Sequence, residues 1–212
     1  MRLTRKQTQE QTRARLLDAA AEAVFDGGIA AISIRGICEA AGYSQGAFYS
    51  NFADRDDLLL ALMRRHIEEE AANLDRLIAD MGRPPEARPL EDDLQRIARW
   101  LSDHGESADW SRLTAEFKLE AQRNPAFAAG HATAAEAFHH SFARLMNDLV
   151  TRHGLRPVLP ARDLSIGLYA LWNGLALQAA VDPKLERMPL YLAFFRAVTG
   201  SPAPATPDHP AT

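Results

Sequence analysis

The sequence predicts an all-α protein with a small helix-turn-helix domain at its N-terminus and a larger helical domain behind it. Three observations lead to this prediction. Apolar residues recur at helical spacing in one segment after another, and no segment alternates as a β-strand does. Proline and glycine residues separate those segments. Residues 32–52 have the pattern of two short helices joined by a tight turn.

The first predicted helix covers residues 7–26. Its apolar stripe consists of Leu16, Leu17, Ala20, Ala21, Val24 and Phe25. The pair Gly27-Gly28 ends it, and Ile29 and Ile32 are expected to pack the connection to the next helix.

Two serines and a glycine set the limits of the short helices that follow. Ser33 is expected to cap the first with its hydroxyl, and Ser44 the second. Gly42 ends the first helix, because glycine adopts a left-handed conformation without steric cost. Cys38 lies on the inner face of the first helix, which indicates buried packing. Because it is the single cysteine of the chain, an intrachain disulfide and a cysteine zinc site are excluded.

The second short helix, residues 45–50, is less than two turns long and needs support from outside. Phe48 and Phe52, four residues apart, are the expected anchors. The opposite face then presents small or hydrogen-bonding groups, namely Gln45, Gly46 and Tyr49. Such a helix is suited to entering a DNA groove. A plain helical hairpin with glycine in its turn is the alternative interpretation.

A long helix is predicted next, from an Asp54 cap to about Met81, with Asp56 and Asp57 in the first turn where the helix dipole favours negative charge. It is long enough to belong to both halves of the protein and to link them mechanically. The alternative is a long helix that only packs.

The rest of the chain has the spacing of further helices. They are predicted at residues 90–104, 108–123, 125–153, 161–181 and 190–198. A break with three prolines, residues 82–89, precedes the first of them, and Gly130 argues against one unbroken span in the third. The tail after Gly200 is rich in proline and alanine and is expected to be disordered.

Charge and composition limit the possible functions. A chain of 212 residues that is 47% hydrophobic can bury a sizeable core, and its net charge of −4 gives no overall attraction to nucleic acid. The N-terminal arm is locally basic; against Glu10 it carries Arg2, Arg5, Lys6, Arg13 and Arg15. No apolar run is long enough for a membrane span and no signal peptide opens the chain, so a cytoplasmic location is expected.

Residues 33–59, SIRGICEAAGYSQGAFYSNFADRDDLL, resemble the DNA-binding signature of the TetR family of transcriptional regulators. The resemblance covers roughly residues 12–62. It implies a domain division of 1–55 for the DNA-binding domain with its arm, 56–200 for an effector-binding and dimerisation domain, and 201–212 for the tail. The implied function is a ligand-responsive repressor, a homodimer that binds a near-palindromic DNA operator and is released by a small-molecule effector. The sequence does not decide whether the effector releases or promotes DNA binding.

The residues expected at the DNA divide into two roles. Gln45, with Tyr43 and Gly46, is expected to read base edges just after the Ser44 cap. Ser33 and Tyr49 match family positions that contact phosphate, and Arg55 stands where the family often has lysine. The expected DNA-binding set is Ser33, Tyr43, Ser44, Gln45, Gly46, Tyr49 and Arg55.

Aromatic residues of the second half belong either to the core or to a cavity lined by a few polar groups. The resemblance favours an effector pocket. The candidate pocket residues are Trp100, His104, Trp110, Phe117, Phe138, Phe142, Trp172 and Asn173.

The last two predicted helices are apolar on more sides than one core contact requires, which predicts a homodimer through a four-helix interface. The expected interface residues are Leu164, Leu168, Leu171, Leu175, Phe194, Phe195 and Val198. The family resemblance implies the same location.

Other chemistry has weaker support. His131, His139 and His140 lie near Glu136, but no HExxH-type motif is present, so surface or pocket histidines are favoured over a metal site. We expect neither a cofactor nor a metal. A helical enzyme is the least favoured hypothesis. The main alternative is a helical protein that binds a partner protein through an ordinary helical hairpin and the apolar face of its last two helices.

Overall fold

The computed structural model of the protein describes residues 4–82, 89–105 and 108–200, with the side chains of 102–105 and 108–110 left out. In these ranges the chain forms helices and no strand, which confirms the all-α prediction. The helices are α1 Arg5–Gly27, α2 Ile34–Ala41, α3 Gln45–Tyr49, α4 Arg55–Met81, α5 Leu90–Gly105, α6 Ala108–Arg123, α7 Pro125–His153, α8 Ala161–Ala179 and α9 Arg187–Thr199, with a 3₁₀ turn at Ile29–Ala31. None of these helices is long and apolar enough to cross a membrane. The predicted disordered tail, 201–212, lies outside the described residues.

Helix α1 begins earlier than predicted because Thr4 forms a capping box with Gln7. The Thr4 hydroxyl accepts from the Gln7 N–H at 3.2 Å, and the Gln7 side chain accepts from the Thr4 N–H at 2.8 Å. Arg5 and Lys6 of the basic arm are therefore the first residues of the helix. Helix α1 ends at Gly27, and Gly28 follows with a φ of 75°.

The predicted caps of the two short helices are confirmed. Ser33 Oγ accepts from the Gly36 N–H at 3.1 Å, and Ser44 Oγ accepts from the Ala47 N–H at 3.2 Å. Gly42 has a left-handed φ of 72°. Cys38 is buried, and that burial raises the pKa of its thiol.

Helix α4 is capped reciprocally. The Asp54 carboxylate accepts from the Asp57 N–H at 2.8 Å, while the Asp57 carboxylate accepts from the Ala53 N–H at 2.9 Å. The helix then runs unbroken to Met81, as predicted.

The chain divides into two compact units. One holds the described residues of 1–70 and 109–138, and the other those of 71–108 and 139–212, so the division falls inside α4 and inside α7. The predicted domains of 1–55 and 56–200 were divided by their expected functions, and this division stays a prediction. The core of the first unit combines residues of the short helices with Leu113 and Phe117 from α6 and Phe127 from α7.

Gly130 lies inside an unbroken α7, contrary to the interruption that the sequence suggested. The reason is a close approach to α4 within the first unit. A Cβ at Gly130 would overlap the side chain of Leu60, so the glycine provides room for packing rather than a break.

The second unit contains a buried charged network at the end of α4. The Asp93 carboxylate accepts from Arg152 at 3.0 Å and lies 2.8 Å from Nε2 of His153. Arg152 also donates to the carbonyl oxygens of Met81, at 2.8 Å, and Gly82, at 2.7 Å. One network therefore joins the end of α4, the start of α5 and the end of α7.

Candidate nucleic-acid interface

Helix α3 has one face held inside the protein and one exposed. Phe48 and Phe52 are 0% and 2% exposed, and their ring centroids are 5.6 Å apart. On the other side Gln45 and Gly46 are exposed, and Tyr49 is 57% exposed. The two phenylalanines thus support this five-residue helix as predicted.

The remaining predicted DNA-binding residues lie around this exposed face. Ser33 and Ser44 are exposed, and Tyr43 is half-buried. Both serine hydroxyls accept a backbone N–H as caps, which leaves each O–H available to donate. The caps and a possible phosphate contact therefore do not exclude each other.

Gly46 is not required by the fold. A Cβ built there would lie 3.6 Å from Ser44 Oγ, an ordinary contact, and the residue has helical backbone geometry. A glycine at an exposed helical position where alanine would fit lowers helix propensity. Its presence is consistent with another backbone or a base approaching closely at this face.

Arg55 is engaged inside the protein. Its guanidinium donates to the carbonyl oxygens of Ile29, at 2.5 Å, and Ile32, at 3.2 Å, and lies 3.6 Å from the Asp56 carboxylate. These contacts tie the start of α4 to the connection between α1 and α2. The geometry gives Arg55 a structural role, whereas the sequence suggested phosphate contact alone.

Arg13, counted with the basic arm, contacts the residues that directly follow α3. Its guanidinium is 4.2 Å from the centroid of the Phe52 ring and donates to the carbonyl of Asn51 at 2.7 Å. Gln9 also donates to the Ser50 carbonyl at 3.4 Å. Sequence reasoning missed these contacts, because their partners are separated by about 40 residues and no local pattern indicates them.

The predicted pocket residues are divided between the two compact units, and a shared pocket stays a prediction. Phe117 packs against Phe127 in the first unit, with ring centroids 5.9 Å apart. In the second unit Trp172 packs against Tyr191, with centroids 5.3 Å apart. Phe138 and Phe142 are buried on α7, and the buried Asn173 donates to the Tyr169 carbonyl at 2.9 Å. The side chains of His104 and Trp110 lie outside the described residues.

Trp100 is half-buried and borders a hollow of about 420 Å³ in the second unit. The other residues around the hollow are Asn73, Arg76, Leu77, Asp80, Arg96 and Arg99. Within the described residues none of these three arginines forms an ion pair with a carboxylate. The hollow therefore combines positive charge with apolar surface from Leu77 and Trp100.

The predicted dimer residues lie mostly inside the protomer. Leu164, Leu168, Leu175 and Phe195 are each 6% exposed or less and pack within the second unit. Leu171 and Val198 are half-buried, and only Phe194, 47% exposed, projects to the surface. A dimer through α8 and α9 stays a prediction, and it could use Phe194 together with other exposed side chains of these helices.

Of the histidines considered for a metal site, His139 has another partner and His131 has a shifted pKa. Nδ1 of His139 lies 2.9 Å from Ser165 Oγ, and burial lowers the pKa of His131 with a smaller effect from Lys118. Among the described residues no three His, Cys, Asp or Glu side chains are placed to hold a metal ion.

A buried and a half-buried titratable group on α4, His66 and Glu70, escaped sequence reasoning. Burial lowers the pKa of His66 to about 4, and burial with a smaller effect from Glu69 raises the pKa of Glu70 to about 7. The apolar stripe of α4 gave no indication that these polar groups lie inward.

Two family profiles match the chain. The one described as "Bacterial regulatory proteins, tetR family" matches residues 16–62, and the one described as "BetI-type transcriptional repressor, C-terminal" matches residues 89–197, about half of the chain. Among curated proteins, the HTH-type transcriptional repressor AcnR of Corynebacterium glutamicum is 26% identical over 118 residues, which is 56% of this chain and 55% of that protein. The chain thus spans about half the length of this relative.

Solved structures share the fold over nearly the whole chain. The reduced form of Escherichia coli NemR aligns with a TM-score of 0.73 at 19% identity, covering 91% of this chain and 100% of that one. FadR of Bacillus subtilis, solved in complex with stearoyl-CoA, aligns with a TM-score of 0.67 at 15% identity, covering 90% and 99%. Given the helix-turn-helix geometry and the two profile matches, the chain belongs to the TetR family of bacterial regulatory proteins.

Proposed function

We propose that the protein is a transcriptional repressor that binds a near-palindromic operator as a homodimer, with α3 of each protomer in the major groove. The observation that carries this proposal is the two-sided character of α3. Phe48 and Phe52 fix the helix from inside, while Gln45, Gly46 and Tyr49 are left exposed. In helix-turn-helix docking the residues at the start of such a helix face the base edges.

Gln45 is proposed as the main base-reading residue. A glutamine amide pairs with the N6 and N7 edge of adenine, and Gly46 lets the backbone come close. Tyr43 is proposed to assist. Ser33 and Tyr49 would contact phosphates, and these contacts position the protein without selecting sequence.

The direct test is selection of bound duplexes from a random library, followed by electrophoretic retardation of a selected duplex against excess random competitor. We expect an enriched near-palindrome with half-sites about one helical turn, roughly 34 Å, or a multiple of it apart. A protein that enriches no sequence would contradict the proposal and favour the alternative, a helical module that binds a partner protein.

The homodimer is proposed to form through the apolar side chains that α8 and α9 leave exposed. They are Ile166, Leu177, Leu190 and Phe194. Gly167 and Gly174 on α8 have open space where a Cβ would stand, so a second helix can approach closely there. A second copy of the same helices would cover these side chains in a twofold interface.

The effector is proposed to be a mostly apolar small molecule held by the helices between Leu90 and Val181, and to release the protein from DNA. Its effect would pass through α4, which contributes residues to both compact units. FadR of Bacillus subtilis binds stearoyl-CoA, which has an apolar chain and an anionic end. Because three arginines surround the hollow beside Trp100, we propose that the effector of this protein also carries an anionic group.

An effector must bind the two states of the protein unequally, because a ligand shifts an equilibrium only by its difference in affinity for the two states. Calorimetric titration of the free and the DNA-bound protein tests any candidate compound. Equal affinities would remove that compound as a regulator, however tightly it bound.

A further inference from the structure

Two charged side chains of α6 bind backbone groups at the junction where α1 ends. In a continuing α-helix the N–H of Ile29 would donate to the carbonyl of Phe25. Here Ile29 donates instead to the Glu116 carboxylate, and the Phe25 carbonyl accepts from the Arg112 guanidinium. Arg112 and Glu116, four residues apart on one face of α6, thus take up the acceptor and the donor of one missing helical hydrogen bond.

The same junction is held from a second side. Arg55 donates to the carbonyl oxygens of Ile29 and Ile32, at the two ends of the 3₁₀ turn. The turn that leads from α1 into α2 is therefore fixed by charged side chains of α4 and α6, all within the first compact unit. Ile29 and Ile32 are buried, at 6% and 5% exposure, so a shift of the turn would disturb the core beneath the short helices.

Gly28 gives this junction a second possible conformation. It has a φ of 75°, and a Cβ there would lie 2.7 Å and 2.9 Å from the two carboxylate oxygens of Glu116. Glycine adopts positive and negative φ about equally well. If Gly28 turned to helical φ, Ile29 could donate to Phe25, α1 would lengthen, and the chain would leave it toward α2 in another direction.

We propose that Glu116 and Arg112 are positioning residues for DNA binding, which they promote by holding the α1 junction in its positive-φ form and so fixing the direction of α2 and α3. This inference rests on the proposed DNA-binding function. Glu116 has the wrong charge for phosphate contact, so it acts through the junction rather than on DNA. DNA affinity would then depend on a residue inside the segment that matches the C-terminal BetI-type profile.

The test compares Glu116→Ala with Glu120→Ala on a duplex that the unmodified protein selects from a random library. Glu120 lies one turn further along α6, and with Glu116 and Gly28 it borders a hollow at this junction. Among the described contacts, however, its carboxylate makes no hydrogen bond to residues 25–32. We expect Glu116→Ala to bind about tenfold or more weakly, because the Ile29 N–H loses a charged acceptor. Glu116→Gln, which keeps a carbonyl acceptor, should lose less, and Glu120→Ala should stay within about twofold.

Further measurements separate positioning from general loss of stability. Circular dichroism at the binding temperature gives the folded fraction, for which each affinity is corrected. Gly28→Ala should imitate Glu116→Ala, because alanine disfavours positive φ. Since both changes act on the same junction, the double variant should bind no more weakly than the weaker-binding single variant. Hydrogen exchange in the peptide spanning residues 25–33 should become faster in Glu116→Ala and not in Glu120→Ala.

The possible failures are distinguishable. A folded Glu116→Ala protein with unchanged affinity would overturn the inference while leaving the DNA-binding function intact, and so would an equal loss in Glu120→Ala. If Glu116→Ala does not fold, Glu116→Gln and Gly28→Ala decide the question by the same measurements. An unmodified protein that selects no duplex would overturn the proposed function and this inference together.

Discussion

Gln45 is the residue on which sequence preference depends in the proposed complex. We expect Gln45→Ala to cost about 1–3 kcal/mol per contact and to blur the preference at one base pair of each half-site. Tyr49→Phe is the matched comparison, because loss of a phosphate contact weakens binding to all sequences about equally. Binding to a library of site variants at two salt concentrations measures both effects. Unchanged base preferences in Gln45→Ala would mean that another residue lies in the groove.

Glu70 gives a prediction about pH. Its pKa is raised from 4.5 to about 7, mainly by burial, so the folded protein keeps a proton that the unfolded chain releases. The raised pKa stabilises the folded protein. This stabilisation is fully present below pH 4.5 and is lost as the pH rises through about 7. Glu70→Gln has no carboxyl group to ionise, so the variant does not lose stability in this way. We therefore expect its free energy of unfolding to exceed that of the parent by about 1–2 kcal/mol at pH 8 and to be similar at pH 4.

Urea unfolding of Glu70→Gln at both pH values checks this prediction. His66, whose pKa is lowered to about 4, contributes in the opposite sense over an overlapping range, but that contribution cancels when variant and parent are compared at the same pH. Glu68→Gln, which removes an exposed carboxylate two residues earlier, is the control and should change little. A similar gain at pH 4 and pH 8 would show that titration of Glu70 is not the cause.

At the scale of the element, the limits of the two short helices α2 and α3 could be predicted because their causes are local. Ser33, Gly42 and Ser44 act on backbone groups three to five residues away, and each cap is where the sequence placed it. The conformation of glycine and the reach of a serine hydroxyl are properties of the residues themselves. A single sequence is enough to find such features.

The contacts between helices could not be predicted in the same way. Glu116 and Ile29 are 87 residues apart, as are Arg112 and Phe25, and nothing in the local pattern joins them. Gly130 was misinterpreted for the same reason, because the side chain that requires it belongs to another helix. Arg55 stands where the family often has lysine and was expected at the DNA, yet its hydrogen bonds are to the backbone of a neighbouring turn.

The buried network around Asp93 should be essential to the arrangement of α4, α5 and α7. Asp93 and Arg152 have side chains that are 0% and 2% exposed. Asp93→Asn leaves the Arg152 charge buried without its carboxylate, for which we expect a loss of about 3–5 kcal/mol in the free energy of unfolding. Glu91→Gln is the control, since Glu91 pairs with Arg196 at the surface and such pairs contribute about 0–1 kcal/mol. Urea unfolding of both variants measures the difference, and equal small losses would contradict a structural role for the network.

At the scale of the whole molecule, the net charge does not favour the proposed binding to DNA. A chain of net charge −4 is not attracted to DNA as a whole, so the proposed binding depends on the local arrangement of the N-terminal helices. Arg13 is drawn into contacts with Phe52 and Asn51, and Lys6 lies 3.9 Å from Glu10. Arg5 and Arg15 remain exposed on α1 and are available for phosphate contact.

The interface residues of α8 and α9 could not be predicted from their apolar pattern. A helix that is apolar on nearly all sides indicates burial on more than one face, but the pattern does not say which face belongs to the protomer's own core. Leu164, Leu168 and Leu175 looked like an interface stripe, and they pack inside the protomer. Substituting a charge for any of them, or for Phe195, would disrupt the protomer before it tested a dimer.

The dimer is therefore tested at the exposed residues. Leu177 and Phe194 are 38% and 47% exposed, so Leu177→Arg with Phe194→Glu can be accommodated by a folded protomer but would place charges in the proposed interface. We expect this double variant to be a monomer by light scattering, with unchanged circular dichroism, and to bind the selected duplex about a hundredfold or more weakly, because a single head engages only one half-site. Leu119→Glu, at an apolar residue of α6 that is 49% exposed, should remain a dimer. A double variant that is still dimeric would place the interface on another surface of the protein.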